Sequence, residues 1–253
     1  MVCATKQTNK CFPKDRAASR VGKEPEKQER LPNMPVRKIP RYGAQKNIGK
    51  FSSVKTGRVA WYESLNERDY MYLLDFDPAV TYWHEQPLKI RFTLGDKTHW
   101  YTPDLEVHRD SRKQIVEVKA KDQVESGKWD LLFRTATSIC KEEECEYVVV
   151  TDEVIRQEPK LESVKKLWKY ARTPVYSQHQ ILCSELFRKR QVAQIELGDL
   201  FQLCKTKSVP AQCLYALLFW GILDFDITQP LDQCNLISLP SSMASVATKR
   251  KAS

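Results

Sequence analysis

The segment Gln114-Ile115-Val116-Glu117-Val118-Lys119 decides the fold of this 253-residue chain. Charged and apolar residues alternate over its second half, which is typical of a β-strand with two different faces. Because every second residue of a strand shares a face, we expect Glu117 and Lys119 together on one face and Val116 and Val118 in the core. The segment therefore predicts a strand that carries a carboxylate and an ammonium group side by side.

Further strands and helices are predicted on both sides of this strand. Hydrophobic periodicity and turn residues predict the strands Val80–Trp83, Leu88–Leu94, Trp100–Val107 and Tyr147–Val150, a turn at residues 95–97 and the start of another strand at Val175-Tyr176. Helices are predicted at residues 64–76, 129–143 and 161–172. This order indicates a mixed sheet with helices packed on it, an α/β fold.

The first helix has a clear start. Ser64 is a good N-cap residue, and Glu67 follows it three positions later, which is the spacing of a capping box. Asp77-Pro78 ends the helix. Glu67 therefore has a structural explanation as well as a chemical one.

A second carboxylate is expected beside Glu117. The turn between the strands returns the chain, so that Asp104 of Pro103-Asp104 can lie next to Glu117. Carboxylate oxygens hold the hard cations Mg²⁺ and Mn²⁺, and such a metal activates water for phosphodiester hydrolysis. Lys119 can orient that water or stabilise the charge of the transition state.

Each part of this pattern has a plain structural alternative. Glu117 and Lys119 alternate as solvated faces of strands often do, Pro-Asp is a common turn dipeptide, and Glu67 has its capping role. The combination, on adjacent strands and after a helical Glu, favours a metal site at Asp104 and Glu117 with the ammonium group of Lys119 at its rim. Glu67 either adds the remaining ligand or serves only as the capping-box partner of Ser64, and the residue pattern leaves both roles open.

The charge of the chain is unevenly distributed. Residues 1–59 hold 15 Lys and Arg against 4 Asp and Glu, and residues 60–248 hold 23 against 28. A basic end beside a mildly acidic body suits an enzyme that binds a polyanion, although a solvated disordered tail explains the charge equally well. Eight scattered cysteines, with no secretion signal and no long apolar run, favour reduced thiols in a cytoplasmic protein.

The composition predicts four segments. Residues 1–36 are expected to be a basic disordered arm, residues 37–179 the catalytic domain, residues 180–242 a small and mainly helical domain, and residues 243–253 a basic tail. The helical domain ends in a hairpin within Gly221–Leu239, an order consistent with a winged-helix-like fold. Its helix Ala211–Trp220 has no Lys or Arg and is apolar nearly all round, so we expect it in a protein interface or a core. We favour partner docking over the alternative, a small helical core without a partner.

Several motifs together resemble the TnsA endonuclease family, the endonuclease subunits of heteromeric transposases. They lie at sensible spacings within residues 37–150: Gly49-Lys50-Phe51-Ser52-Ser53-Val54-Lys55, Glu63-Ser64-Leu65-Asn66-Glu67-Arg68-Asp69, Glu85-Gln86-Pro87, Tyr101-Thr102-Pro103-Asp104 and Glu117-Val118-Lys119. The C-terminal part is similar only in general character.

The resemblance implies a restriction-endonuclease-like PD-(D/E)xK core that cuts the 5′, non-transferred strands at the ends of a mobile element in the bacterial cytosol. It implies double-stranded DNA, a DDE-type transposase and an AAA+ ATPase regulator as partners. Glu67, Asp104 and Glu117 would bind Mg²⁺ or Mn²⁺, and Lys119 would be the catalytic lysine. One family member has Gln where Glu117 stands here, and Glu is the stronger ligand.

Two other functions remain open from the sequence. A restriction or repair nuclease of the same PD-(D/E)xK type that acts alone would carry the same catalytic residues. A DNA-binding or scaffold protein with a decayed site is the second alternative, and the complete set of Asp104, Glu117 and Lys119 argues against it.

Overall fold

The computed structural model of the protein describes residues 47–94 and 97–240, with the backbone alone for residues 92–94 and 97. The described chain forms two compact units, one of residues 47–71 and 79–155 and the other of residues 72–78 and 156–240. The predicted basic arm (1–36), the basic tail (243–253) and the turn residues Gly95 and Asp96 lie outside the described residues.

The first unit is built on a mixed four-stranded sheet. Its strands are β3 (Val80–Glu85), β6 (Leu105–Arg109), β7 (Arg112–Lys119) and β8 (Glu146–Thr151), in the order β3-β6-β7-β8. The pairs β3–β6 and β6–β7 are antiparallel, whereas β7 and β8 are parallel and are joined through helix α3 (Asp130–Glu142). The predicted α/β class with a mixed sheet is confirmed.

Two hairpins accompany this sheet. The first pairs β1 (Gly49–Ser52) with β2 (Val59–Tyr62), and the second pairs β4 (Ile90–Leu94) with β5 (Lys97–Tyr101). The prediction of one strand over Trp100–Val107 is wrong, because β5 ends at Tyr101 and β6 begins at Leu105. Pro103 lies in the break, where its missing N–H costs no ladder hydrogen bond. The break places Asp104 immediately before β6.

The valines of β7 are buried as predicted. Val116 is 0% exposed and Val118 is 7% exposed. Leu105 of β6 pairs with Val116, and Val107 pairs with Trp83 of β3, so these large apolar side chains fill one face of the sheet. That face is an ordinary hydrophobic core, which leaves the opposite face of β7 for Glu117 and Lys119.

Helix α1 (Leu65–Phe76) begins after Ser64 and ends before Asp77-Pro78, as predicted. The hydroxyl of Ser64 accepts a hydrogen bond from the backbone N–H of Glu67 at 3.1 Å, so Ser64 is its N-cap. Two short helices, α2 (Lys121–Glu125) and α4 (Asp152–Ile155), follow the ends of β7 and β8.

The second unit is mainly helical with a small sheet. It contains α5 (Lys160–Trp168), α6 (Ser177–Arg190), α7 (Leu197–Lys205) and α8 (Ala211–Phe219), with β9 (Gln194–Glu196), β10 (Asp224–Phe225) and β11 (Leu236–Ser238). The antiparallel pair β10–β11 is the predicted hairpin, and β9 pairs with β11 beside it. The strand predicted at Val175-Tyr176 is wrong, because these residues form the loop before α6.

The units change at Ile155, earlier than the predicted domain boundary at residue 179. Helix α5 packs on α8 through an apolar face that includes Leu161, Val164 and Leu167, so it belongs to the second unit. The residues of α8 are mostly buried within the same unit, among them Leu214, Leu217 and Phe219. Burial in this core accounts for the cation-free character of α8, which had favoured a docking role.

Candidate active site

Asp104 and Glu117 meet where β6 begins. Leu105 pairs with Val116 in antiparallel register, so the next position along the ladder sets Asp104 opposite Glu117. Asp104 Oδ2 accepts a hydrogen bond of 2.8 Å from the backbone N–H of Val118. This bond stands in for the ladder bond that the break in the strand removes, and it fixes the carboxylate beside β7.

The carboxylate of Glu117 is nearly enclosed, with 4% of its side chain exposed. Tyr101 donates a hydrogen bond of 2.6 Å from its hydroxyl to Oε2 of Glu117. Lys119 donates a second bond of 2.5 Å from Nζ to Oε1. Both oxygens of Glu117 are therefore engaged by side chains of the same unit.

Lys119 lies at the more accessible edge of the site, with 20% of its side chain exposed. Its Nζ is 4.7 Å from the ring centroid of Trp129, which directly precedes α3. A cation over the face of an indole ring is attracted by the quadrupole of that ring. Glu117 and Trp129 together hold the ammonium group beside the carboxylates.

Glu67 forms a variant of the predicted capping box, in which its carboxylate reaches the backbone N–H of Glu63, one residue before the N-cap, and not that of Ser64. Its Oε2 accepts a bond of 2.8 Å from the backbone N–H of Glu63, and its Oε1 accepts one of 2.9 Å from the hydroxyl of Ser64. Burial raises the pKa of Glu67, the hydrogen bonds from Glu63 and Ser64 oppose the rise, and the charges of Glu63 and Glu117 add to it. The negative charges of Glu67, Asp104 and Glu117 therefore affect one another.

The three carboxylates repel one another. Burial raises the pKa of Asp104 well above its ordinary value, and the negative charges of Glu117 and Glu67 raise it further. The N–H of Val118 and the positive charge of Lys119 lower this pKa without cancelling the rise. A site that concentrates negative charge in this way favours a cation.

The donor chemistry of these residues fits a hard divalent cation such as Mg²⁺. Each carboxylate oxygen has two lone pairs, so an oxygen that accepts one hydrogen bond still has a position for a metal ion. In the part of the chain that the structure describes, no group of three or more His, Cys, Asp or Glu side chains is already arranged as a set of metal ligands. Metal binding at Glu67, Asp104 and Glu117 is therefore a proposal, and it requires these side chains to rearrange.

Gln86, an uncharged residue, helps to hold Asp104 in place. Gln86 donates its backbone N–H to the carbonyl oxygen of Asp104 at 2.8 Å, and its Nε2 bonds to Oε1 of Glu63 at 2.9 Å. Gln86 has a φ of +46°, which orients these two groups toward the site. The motif Glu85-Gln86-Pro87 therefore links the start of α1 to the start of β6.

Sequence reasoning missed three aromatic residues of the site. Tyr101, Tyr147 and Trp129 contact Glu117 and Lys119 directly or through one another. Tyr101 was visible as part of Tyr101-Thr102-Pro103-Asp104 and only three residues before Asp104. Nothing in the sequence signals Tyr147 or Trp129, because their positions beside the site depend on how β8 and α3 pack.

Two substitutions separate the structural and chemical roles of Glu67. Glu67→Gln keeps the capping box, since Gln serves at that position as well as Glu, and removes the charge. We expect the stability of the variant to be unchanged or slightly raised. Its DNA cleavage should fall at least about tenfold, which is the usual effect of losing a residue that supports metal binding. Thermal denaturation and a strand-cleavage assay measure the two effects.

The matched control is Ser64→Ala, which breaks the cap and keeps the carboxylate. It should cost about 0.5–2 kcal/mol of stability and leave most of the cleavage. If both variants lose cleavage to the same extent, Glu67 acts only through the helix.

One segment of the chain matches the model of a known protein domain. Residues 77–152 match the family model described as the N-terminal domain of TnsA-like endonucleases. The match includes Asp104, Glu117 and Lys119, and it begins after Glu67. No curated protein matches the chain.

Proposed function

From the TnsA-like endonuclease domain that residues 77–152 form, we propose that this protein is a divalent-metal-dependent DNA endonuclease that cuts the non-transferred strands at the 5′ ends of a mobile element. The observation that carries the proposal is the convergence of Asp104 and Glu117, with Lys119 at their edge, inside the matched segment. This is the arrangement that the PD-(D/E)xK motif requires.

Glu67, Asp104 and Glu117 are the residues that would hold Mg²⁺, with Mn²⁺ as a second metal that supports activity. The chemistry that such a metal supplies when bound is a lowered pKa of its water and neutralisation of phosphate charge. The protein supplies the acidic oxygens and keeps them in place. The bond from Val118 orients Asp104, and the bond from Tyr101 orients Glu117.

Lys119 supplies the positive charge of the site. Its ammonium group has three donors, and one of them engages Glu117. The remaining donors can hold an attacking water or a phosphate oxygen as negative charge develops. The ring of Trp129 limits where the ammonium group moves.

The proposed partners are double-stranded DNA at the element ends, a DDE-type transposase and an AAA+ ATPase regulator. They rest on the family resemblance; the predicted docking role of the second unit has no support from α8, whose residues are mostly buried in the core of that unit. In the described ranges 47–94 and 97–240, no helix has the length and apolarity to cross a membrane. A basic arm at residues 1–36 would add contacts to DNA phosphates.

The first test is metal dependence. We expect the purified full chain, incubated with its candidate transposase and ATPase, to nick DNA that carries the element ends in the presence of Mg²⁺. Excess EDTA should abolish nicking and added Mg²⁺ or Mn²⁺ should restore it, because hydrolysis needs an activated water. Mapping the cut strand on labelled DNA measures both cleavage and strand choice.

Undiminished nicking in excess EDTA would contradict the proposed mechanism. Full activity of the chain without either partner, on DNA that lacks the element ends, would favour a nuclease that acts alone. The two outcomes concern different parts of the proposal, the chemistry and the biological role.

A further inference from the structure

A chain of hydrogen bonds runs from the apolar interior of the first unit to the proposed metal site. The hydroxyl of Tyr147 lies 2.8 Å from that of Tyr101, and Tyr101 donates to Oε2 of Glu117 at 2.6 Å. Since a phenol has one proton and Tyr101 gives its own to Glu117, Tyr147 is the donor to Tyr101. Both tyrosines therefore point their protons toward Glu117.

We propose that Tyr101, supported by Tyr147, is a positioning residue that holds the carboxylate of Glu117 in the orientation in which it binds a divalent cation. The inference rests on the proposed function, and it assigns Tyr101 a part in metal binding although it is not itself a ligand. Hydrogen-bonded neighbours commonly orient metal-binding carboxylates in this way.

Packing makes Tyr101 suitable for this role. Its side chain is 8% exposed and belongs to an apolar cluster with Ile90, Leu132 and Ala136, which Tyr147 and Trp129 border. A phenol ring enclosed on several sides has few rotamers left, so its hydroxyl is a fixed point. The carboxylate of Glu117 can be held precisely only if the residue that contacts it is itself fixed by packing.

The two donors to Glu117 differ in how firmly they are held. Tyr101 is anchored in the cluster and engages Oε2, whereas Lys119 reaches Oε1 at the end of a flexible chain that is 20% exposed. Tyr101 is therefore the firmer of the two contacts, and it would keep Oε2 in place whether or not Lys119 moves. Oε1 would be the oxygen of Glu117 that is available to a metal ion.

Tyr101 also connects separate strands. It lies in β5, which pairs with β4 and not with the strands of the central sheet. Glu117 and Tyr147 lie in β7 and β8 of that sheet. The three side chains thus tie the β4–β5 hairpin to the site, so that the position of Glu117 depends on residues distant in sequence.

The test measures Mn²⁺ binding directly. Isothermal titration calorimetry of Mn²⁺ into the full chain is compared for wild type, Tyr101→Phe and Tyr147→Phe. We expect Tyr101→Phe to weaken binding by about 10–100-fold. Tyr147→Phe should also weaken Mn²⁺ binding, but by less, because Tyr147 acts only through Tyr101. In cleavage assays, the Mn²⁺ concentration for half-maximal rate should rise for Tyr101→Phe while the rate at saturating Mn²⁺ is largely recovered.

The matched control is Tyr82→Phe. Tyr82 lies in β3 of the same sheet, and its hydroxyl accepts a bond of 3.3 Å from Arg58 without contact to Glu117. This variant loses one tyrosine hydroxyl as the others do, and its Mn²⁺ affinity should equal that of wild type. Thermal denaturation of all variants shows whether they are folded at the temperature of the titration.

The possible results separate the inference from the function on which it rests. If wild type binds no Mn²⁺, or if Asp104→Asn binds it as well as wild type, the proposed metal site is wrong. If wild type binds Mn²⁺, and both Tyr101→Phe and Tyr147→Phe bind it as tightly as wild type does, only the positioning role is wrong. The positioning role is also wrong if saturating Mn²⁺ does not restore the cleavage rate of Tyr101→Phe. It is equally wrong if Tyr82→Phe weakens Mn²⁺ binding to the same extent as Tyr101→Phe.

Discussion

An Asp104→Asn variant is expected to lose cleavage by more than about 10³-fold, because the site loses a ligand for the metal that activates water. The same variant is expected to be more stable than wild type in the absence of metal. Asn keeps an acceptor for the N–H of Val118 and removes one of three mutually repelling charges. Relief of such a functional-site penalty typically stabilises by about 0.5–2 kcal/mol.

The stability gain should depend on pH in a defined direction. The pKa of Asp104 is raised by burial and by Glu117 and Glu67, so ionisation of Asp104 opposes folding. The penalty is absent below the ordinary pKa of 3.8 and grows as the pH rises through the raised value. The difference in melting temperature between variant and wild type should therefore be small at acid pH and should increase as the pH rises.

Asp110→Asn is the matched control for this prediction. Asp110 is an exposed residue in the turn between β6 and β7, with a φ of +47° that Asn also tolerates. It should change neither cleavage nor the pH dependence of stability. If Asp104→Asn still cleaves at the wild-type rate, Asp104 is not a metal ligand. If it melts at the wild-type temperature at every pH, the carboxylates do not oppose folding.

Lys119→Ala is expected to lower the cleavage rate by about 10²–10³-fold, the usual value of a donor aimed at developing negative charge. Metal binding should persist, since Asp104 and Glu117 remain. In wild type Lys119 engages Oε1 of Glu117, so in the variant Mn²⁺ would not have to compete with an ammonium group for this oxygen. DNA binding should fall only slightly, because one phosphate contact among many is lost. Single-turnover cleavage, Mn²⁺ calorimetry and a DNA-binding titration measure the three effects.

The structure changes the expectation for the stability of this variant. From the strand pattern alone, removal of Lys119 takes away no core packing and should cost little. The contact with Glu117, whose side chain is only 4% exposed, means that a buried carboxylate loses one of its two donors. Such a loss typically costs about 1–3 kcal/mol, so cleavage should be assayed well below the melting temperature of the variant.

Lys121→Ala is the control for Lys119→Ala. Lys121 lies in α2 beyond the end of β7, and its Nζ contacts Glu153 at 2.9 Å on the surface. An exposed pair of this kind contributes little to stability. If Lys121→Ala loses cleavage and Lys119→Ala does not, the catalytic lysine is misassigned. If neither variant loses cleavage, Lys119 has only a structural pairing with Glu117.

The sequence by itself determined the features that depend on local periodicity and spacing. Alternation along residues 114–119 predicted β7 and the burial of its valines, and Ser64 with Glu67 predicted the start of α1 and the hydrogen bond between these two residues. The ordered motifs predicted a TnsA-like endonuclease domain, and residues 77–152 match the model of the N-terminal domain of such endonucleases. These features are local because backbone dihedrals and side-chain direction repeat with a short period.

The tertiary structure alone decided which aromatic residues border the site. The packing of β8 brings Tyr147 to Tyr101, and the segment before α3 places Trp129 over the ammonium group of Lys119. The core of the second unit explains the apolar character of α8, for which the sequence favoured partner docking over a small helical core. Such choices depend on long-range packing: an apolar helix or an enclosed tyrosine has the same local pattern whichever neighbour covers it.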